Sequence, residues 1–331
     1  MDIDAYANVH QRSWWELEGL LKKSHLDADE ADRAVELYQR VSTHLSQLRS
    51  NEPDPTLVAS LSMLLAKTRR KMGASRTPSL KLVGHFFTQT LPAALYRLRY
   101  WWLSTMAASL VLAVFIGARI VADPKLEAAV GTPEMVKQLV EQDFENYYRT
   151  YAASHFSFQV WVNNSWVAAL CIAMGVLGAP VLYMLFQNVA NVAVSGAIMI
   201  NHGAGAKFFG LLLPHGTLEL TCIFVAGGVG LYLCWSWISP GPRTRSEALA
   251  QAGRTVVGIA MGLVVVLSIC GALEGFVTPS ALPTSVRVGI GIVAEVLFFV
   301  YVFGIGRYAY NHGQDGDIAR AWQEDREIRV R

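Results

Sequence analysis

Long apolar runs dominate the chain from residue 100 to residue 309 and leave few ways for it to fold. A helix crossing a bilayer needs roughly 20 apolar residues, and a helix satisfies its own backbone hydrogen bonds in hydrocarbon. Six stretches reach that length: about 101–122, 164–186, 190–213, 216–237, 255–276 and 287–309. The third is the most broken, with Asn201, His202, Lys207 and several glycines. Charged residues make up only 16% of the chain, whereas soluble proteins carry about 25%. The sequence therefore predicts an all-α, polytopic helical membrane protein with about six transmembrane helices. The net charge of +2 and the lack of a long basic run argue against nucleic acid as a partner. The opening MDIDAYANVH is acidic and has no apolar core, so no cleavable signal peptide is expected.

Basic residues orient the spans. With six crossings, 22 of the 28 Lys and Arg fall on one side, including Arg243, Arg245 and Arg254 in an inner loop. Cytoplasmic loops carry the excess of Lys and Arg. Both termini of this multi-pass chain are thus expected in the cytoplasm. If 190–213 did not cross, Arg243, Arg245 and Arg254 would face outward.

Residues 1–99 read as a cytoplasmic helical domain. Leu17, Leu20 and Leu21, then Val35, Tyr38, Val41, Leu45 and Leu48, then Leu57, Leu61 and Leu65 recur at helical spacing, which predicts a helical bundle. An interfacial helix from about Ser79 follows, with Phe86, Phe87, Tyr96, Trp101 and Trp102 beside Lys81, Arg97 and Arg99; rings and cations in that mixture suit lipid headgroups. Residues 100–309 form the transmembrane domain and 310–331 a cytoplasmic tail. The longest outer loop, about 123–162, carries an apolar helical stripe from Met135 to Tyr151. Packing against the protein's own spans and docking of another protein both fit that stripe.

Several polar groups fall inside apolar stretches, where they are costly and normally face a bundle interior or a wet cavity. Asn163 and Asn164 open the second span, His215 and Glu219 open the fourth, and Glu274 closes the fifth. In the six-span arrangement all five reach the outer leaflet and are expected to meet in one hydrogen-bonded cluster. His215 and Glu219 are four residues apart and share a helix face. Glu295 lies deeper in the sixth span and reads as a separate buried acid. HxxxE alone is a weak metal motif, and Cys171, Cys222, Cys234 and Cys270 form no CxxC pair, so neither a metal nor another cofactor is expected. Glycines 175, 178, 196, 227, 228 and 230 would let helices approach closely.

These motifs resemble the stage II sporulation protein M family of prokaryotic membrane proteins. The resemblance covers about 101–285. It is carried by Asn163–Asn164, Asn188, Gly196, the stretch LPHGTLEL with Leu213, Pro214, His215, Gly216 and Glu219, the glycines Gly227 and Gly230, and LEGFVTP with Glu274, Phe276 and Pro279. Residues 1–99 and the sixth span look like additions seen in a longer, non-sporulating branch. The resemblance implies a membrane scaffold, since the namesake organises peptidoglycan-degrading partners during engulfment.

The expected function is that of a non-enzymatic scaffold or membrane-organising component of a cell-envelope complex. Its expected partners are membrane lipids, cell-envelope proteins and a second copy in a homodimer. A transporter or channel-like protein using the outer-leaflet polar groups is the first alternative, and an intramembrane enzyme the second.

Overall fold

A computed structural model describes residues 3–23, 26–51, 54–73, 80–138, 140 and 153–318. Among them there are helices and turns but no strand. The chain divides into two compact units, Met1–Ser79 and Leu80–Arg331.

The described residues of the first unit form three helices: α1 Ile3–Lys22, α2 Ala28–Asn51 and α3 Pro55–Gly73. Both turns carry start signals. Asp27 and Glu30 cap each other reciprocally, with Glu30 N donating to Asp27 Oδ1 at 2.8 Å and Asp27 N to Glu30 Oε2 at 3.3 Å. Asp54 accepts from the Thr56 amide at 2.8 Å ahead of α3. The positions 34, 37, 41, 45 and 48 of α2 are buried against Trp14 and Leu17 of α1 and Leu61 and Leu65 of α3. That 3–4 spacing is one helix face, and it supplies the unit with its own core.

The second unit begins with α4 Leu80–His85, a π-helical turn Phe86–Thr90 and α5 Leu91–Arg97. Part of the segment read as an interfacial helix packs within the protein. Leu91 to Leu95 are buried in protein, and the Pro92 carbonyl lies where a Cβ on Gly306 would be 2.3 Å from it. Aromatic rings of this segment pack on neighbouring helices, Tyr96 and Trp102 against Phe303 and Trp101 against Tyr232; Trp102 is fully buried with Nε1 donating to the Leu95 carbonyl, and Tyr301 Oη donates to the Phe87 backbone carbonyl.

Then come α6 Arg99–Ala122, the short α7 Pro124–Val130 and α8 Pro133–Gln138, α9 Ala153–Ala173, α10 Ala179–Asn201, α11 Gly205–Ile238, α12 Arg245–Ala272, α13 Thr284–Val300 and α14 Arg307–Asn311. Much of the expected stripe in the outer loop, from Phe144 to Tyr151, lies outside the described residues, as does the tail beyond residue 318.

Among the described residues, five helical stretches are long and apolar enough to cross a membrane: Arg99–Ala122, Ala179–Asn201, Gly205–Ile238, Arg245–Val277 and Thr284–Asn311. Two expected spans move. The run 164–186 is broken by a turn at Met174–Gly178, and the run 190–213 by a turn at His202–Ala204. Gly178 and Gly203 adopt φ of 69° and 74°, a left-handed conformation that stops a helix and suits glycine. The corresponding helices are therefore 153–173 and 179–201, each starting about ten residues early. Residues 205–213 join α11, whose 34 residues span about 51 Å at 1.5 Å each, longer than the ~30 Å hydrocarbon core.

α11 is the central helix, packed by α6, α9, α10, α12 and α13. The glycines make these crossings possible. A Cβ on Gly228 would lie 2.5 Å from Trp102 Cα of α6, and one on Gly230 would lie 2.5 Å from the Cys171 carbonyl of α9. α9 runs along α11 and α12. Its early residue Ser157 sits at Gly271, near the end of α12, and its late residue Cys171 sits at Gly230, near the opposite end of the bundle. At the far side of α12, Arg254 binds the buried Asp317 carboxylate through Nε and Nη2, both at 2.9 Å. This holds the chain after α14 against the bundle.

Candidate polar site between α9, α11 and α12

Two local features place the site. Pro214 sits inside α11 and lacks the amide that would bind the Gly210 carbonyl, which loosens the helix one residue before His215. α13 closes on this point: a Cβ on Gly291 would be 2.6 Å from both the Leu213 and Pro214 carbonyls. α12 ends in a wide π-helical turn, Leu273–Val277, which carries Glu274 and is closed by the Thr278 amide on the Leu273 carbonyl at 2.9 Å. Such turns are frequent at functional sites.

The structure brings His215, Glu219 and Glu274 together. One ligand atom from each lies within 4.8 Å of the others. His215 Nε2 faces Glu274 Oε1 at 3.8 Å, with both side chains about 5% exposed or less. His215 Nδ1 lies 3.1 Å from Thr278 Oγ1. That hydroxyl also lies 3.3 Å from the Leu273 carbonyl; in the tautomer where it donates there and accepts from Nδ1, Nε2 carries the lone pair toward the carboxylates. Arg287 of α13 braces the same turn, donating to the Thr278 carbonyl and, at 3.0 Å, to Thr284 Oγ1.

Asn164 reaches the cluster from α9 and donates to Glu219. It lies in the middle of α9, not at the opening of a span, because α9 begins at Ala153. Asn163 does not join. It is exposed, and its Nδ2 donates to Asn164 Oδ1 at 3.2 Å. Glu295 stands apart, accepting from Thr221 Oγ1 at 2.8 Å. One buried oxygen of each acid, Glu219 Oε2 and Glu295 Oε2, has no hydrogen-bond partner among the described residues. Thr278 was not singled out by sequence reasoning; its signal was its place in LEGFVTP.

A second polar group lies at the far end of α10. Glu127 of α7 accepts from Asn201 Nδ2 at 2.6 Å and pairs with His202 Nε2 at 2.7 Å. The Asn201 amide first, and His202 second, hold its carboxyl below the usual carboxylate range. It borders a cavity of about 550 Å³ lined also by Pro124, Val136 and Lys137. Sequence reasoning passed over this group.

The apolar helices and their glycine-mediated crossings define a polytopic, all-helical membrane protein. A family model for stage II sporulation protein M matches residues 106–279, more than half of the chain, and the chain belongs to that family. The matched segment contains Asn164, His215, Glu219, Glu274 and Thr278. A domain of unknown function (DUF8413) matches residues 4–73, the three-helix unit. No curated protein and no solved structure matches the chain.

Proposed function

We propose that the protein is a non-enzymatic scaffold of a cell-envelope complex, crossing a prokaryotic cell membrane six times with both termini in the cytoplasm. The observation that carries the scaffold reading is the division of the chain: a helical unit with its own core is joined to a membrane unit. That unit exposes Val9, Trp15 and Met63, apolar side chains available to a partner. The sixth crossing is α9, which is too polar to be counted by composition. Its support is geometric. Glu127, just after α6, binds the end of α10, so α6 and α10 end on one side. This supports a return across the bundle between them, through α9. The protein acts as a homodimer within its complex.

The test compares the full chain with one lacking residues 1–73, both purified from native membranes and weighed intact in nanodiscs. A scaffold keeps membrane insertion in both but loses its envelope partners in the shortened chain. A mass equal to one copy in the full chain excludes the homodimer. The alternative of transport is favoured by one observation, the unpartnered Glu219 oxygen in the bundle. Proton or ion flux into proteoliposomes that vanishes in Glu219→Gln would establish transport in place of the scaffold role.

A further inference from the structure

We propose that His215, Glu219 and Glu274 bind a divalent transition-metal ion of the zinc class. This inference does not rest on the scaffold role. Geometry is the first argument. Two ligands each about 2.1 Å from a tetrahedral zinc ion lie roughly 3.4 Å apart. His215 Nε2 and Glu274 Oε1 are 3.8 Å apart, and all three donor atoms lie within 4.8 Å, so small side-chain rotations would close the set.

Charge is the second. Two carboxylates share an apolar interior, and among the described residues no Lys or Arg forms an ion pair with either. Uncompensated charge there is costly. A dication would neutralise both carboxylates in their ionised form where they meet, and it gives Glu219 Oε2, buried and without a hydrogen-bond partner, something to bind.

The third argument is orientation. Metal-binding imidazoles usually donate their other ring N–H to a fixed acceptor, which sets the tautomer. Thr278 Oγ1, 3.1 Å from His215 Nδ1 and within reach of the Leu273 carbonyl for its own proton, is placed to be that acceptor. Asn164 plays the matching part for Glu219. Calcium and magnesium prefer oxygen ligands in larger shells, whereas a mixed imidazole and carboxylate set of three suits zinc and its neighbours. The ion would join α11 to the end of α12, with α9 supporting one ligand, and so tie three helices at one depth.

The full chain purified in detergent and equilibrated with zinc, then freed of excess by gel filtration, should carry about one ion per chain by elemental mass spectrometry. Cobalt in its place should give a visible d–d absorption band. Glu219→Gln and Glu274→Gln should lose the ion. Thr278→Val, which keeps all three ligands but removes the His215 acceptor, should bind about 10–100-fold more weakly. The wild type's melting temperature should fall with a chelator and recover on adding zinc, a readout that needs no variant to fold. A wild type that retains no metal and melts identically with and without chelator overturns the proposal, leaving a proton-neutralised cluster. Zinc bound with wild-type affinity by both Gln variants overturns it as well.

Discussion

Gly228 has no room for a side chain. A Cβ there would meet Trp102 Cα at 2.5 Å and Trp102 N at 2.7 Å, both backbone atoms that cannot turn aside. Trp102 is itself fully buried, with its indole N–H committed to the Leu95 carbonyl. Gly228→Val should therefore push α6 off α11 and destabilise the membrane unit by about 1–3 kcal/mol or more, as overpacking does. Gly253 in α12 is the contrast, since a Cβ there meets nothing within 4 Å. Gly253→Ala should stabilise by up to about 1 kcal/mol, the helix-propensity difference. Thermal unfolding of both variants in one detergent tests the pair, and equal losses would show that the crossing does not depend on Gly228.

At the scale of the element, the clip between α7 and the end of α10 is set by one carboxylate. Glu127 is held below its ordinary range by Asn201 and His202, so its contribution to stability is present above the unfolded carboxylate value. It is lost as pH falls through the lower, folded value. Hydrogen exchange in residues 124–130 should thus rise as pH drops from neutrality to below about 4, after correction for intrinsic exchange. Glu127→Gln should flatten that dependence. A wild-type profile as flat as the variant's would rule out the carboxylate as the clip. The neighbouring turn at Gly203 shows why such a group is hard to see in advance. Asn201 and His202 look like flaws in a span from 190 to 213, and only when the helix stops at 201 do they become an exposed cap for Glu127.

For the whole molecule, the number of crossings decides the topology. With six, cysteines placed at positions 140 and 247 label from opposite sides of the membrane. With α9 outside the membrane, α12 would start on the outer side and both positions would label together. Impermeant thiol labelling in intact cells, with Cys171, Cys222, Cys234 and Cys270 as background controls, separates the two. The first unit does not enter this count, and its α2 stripe of residues 34, 37, 41, 45 and 48 belongs to a core of its own.

Composition and hydropathy by themselves determined that the chain is helical and membrane-spanning, that its N-terminal region carries a helical bundle, and that the close crossings run through glycine; the division after Ser79, inside the 1–99 domain read from the sequence, came from the structure. Those properties follow from local rules: apolar length, the 3–4 spacing of a buried face, and the small size of glycine. The HxxxE spacing also places His215 and Glu219 on one face before any fold is known. What only the tertiary structure decided is which polar groups meet. Asn163 and Asn164 are adjacent in sequence, yet successive helical positions point about 100° apart, so one faces Glu219 and the other the outside. Glu274 and Glu295 read alike as acids in apolar runs, but the π-helical turn carries the first to His215 while Thr221 holds the second apart. Helix breaks at Gly178 and Gly203, and the burial of Leu91–Leu95, likewise escape a uniformly apolar pattern. Hydrophobicity reports that a residue leaves water, and only the rotation and offset of neighbouring helices report what it meets there.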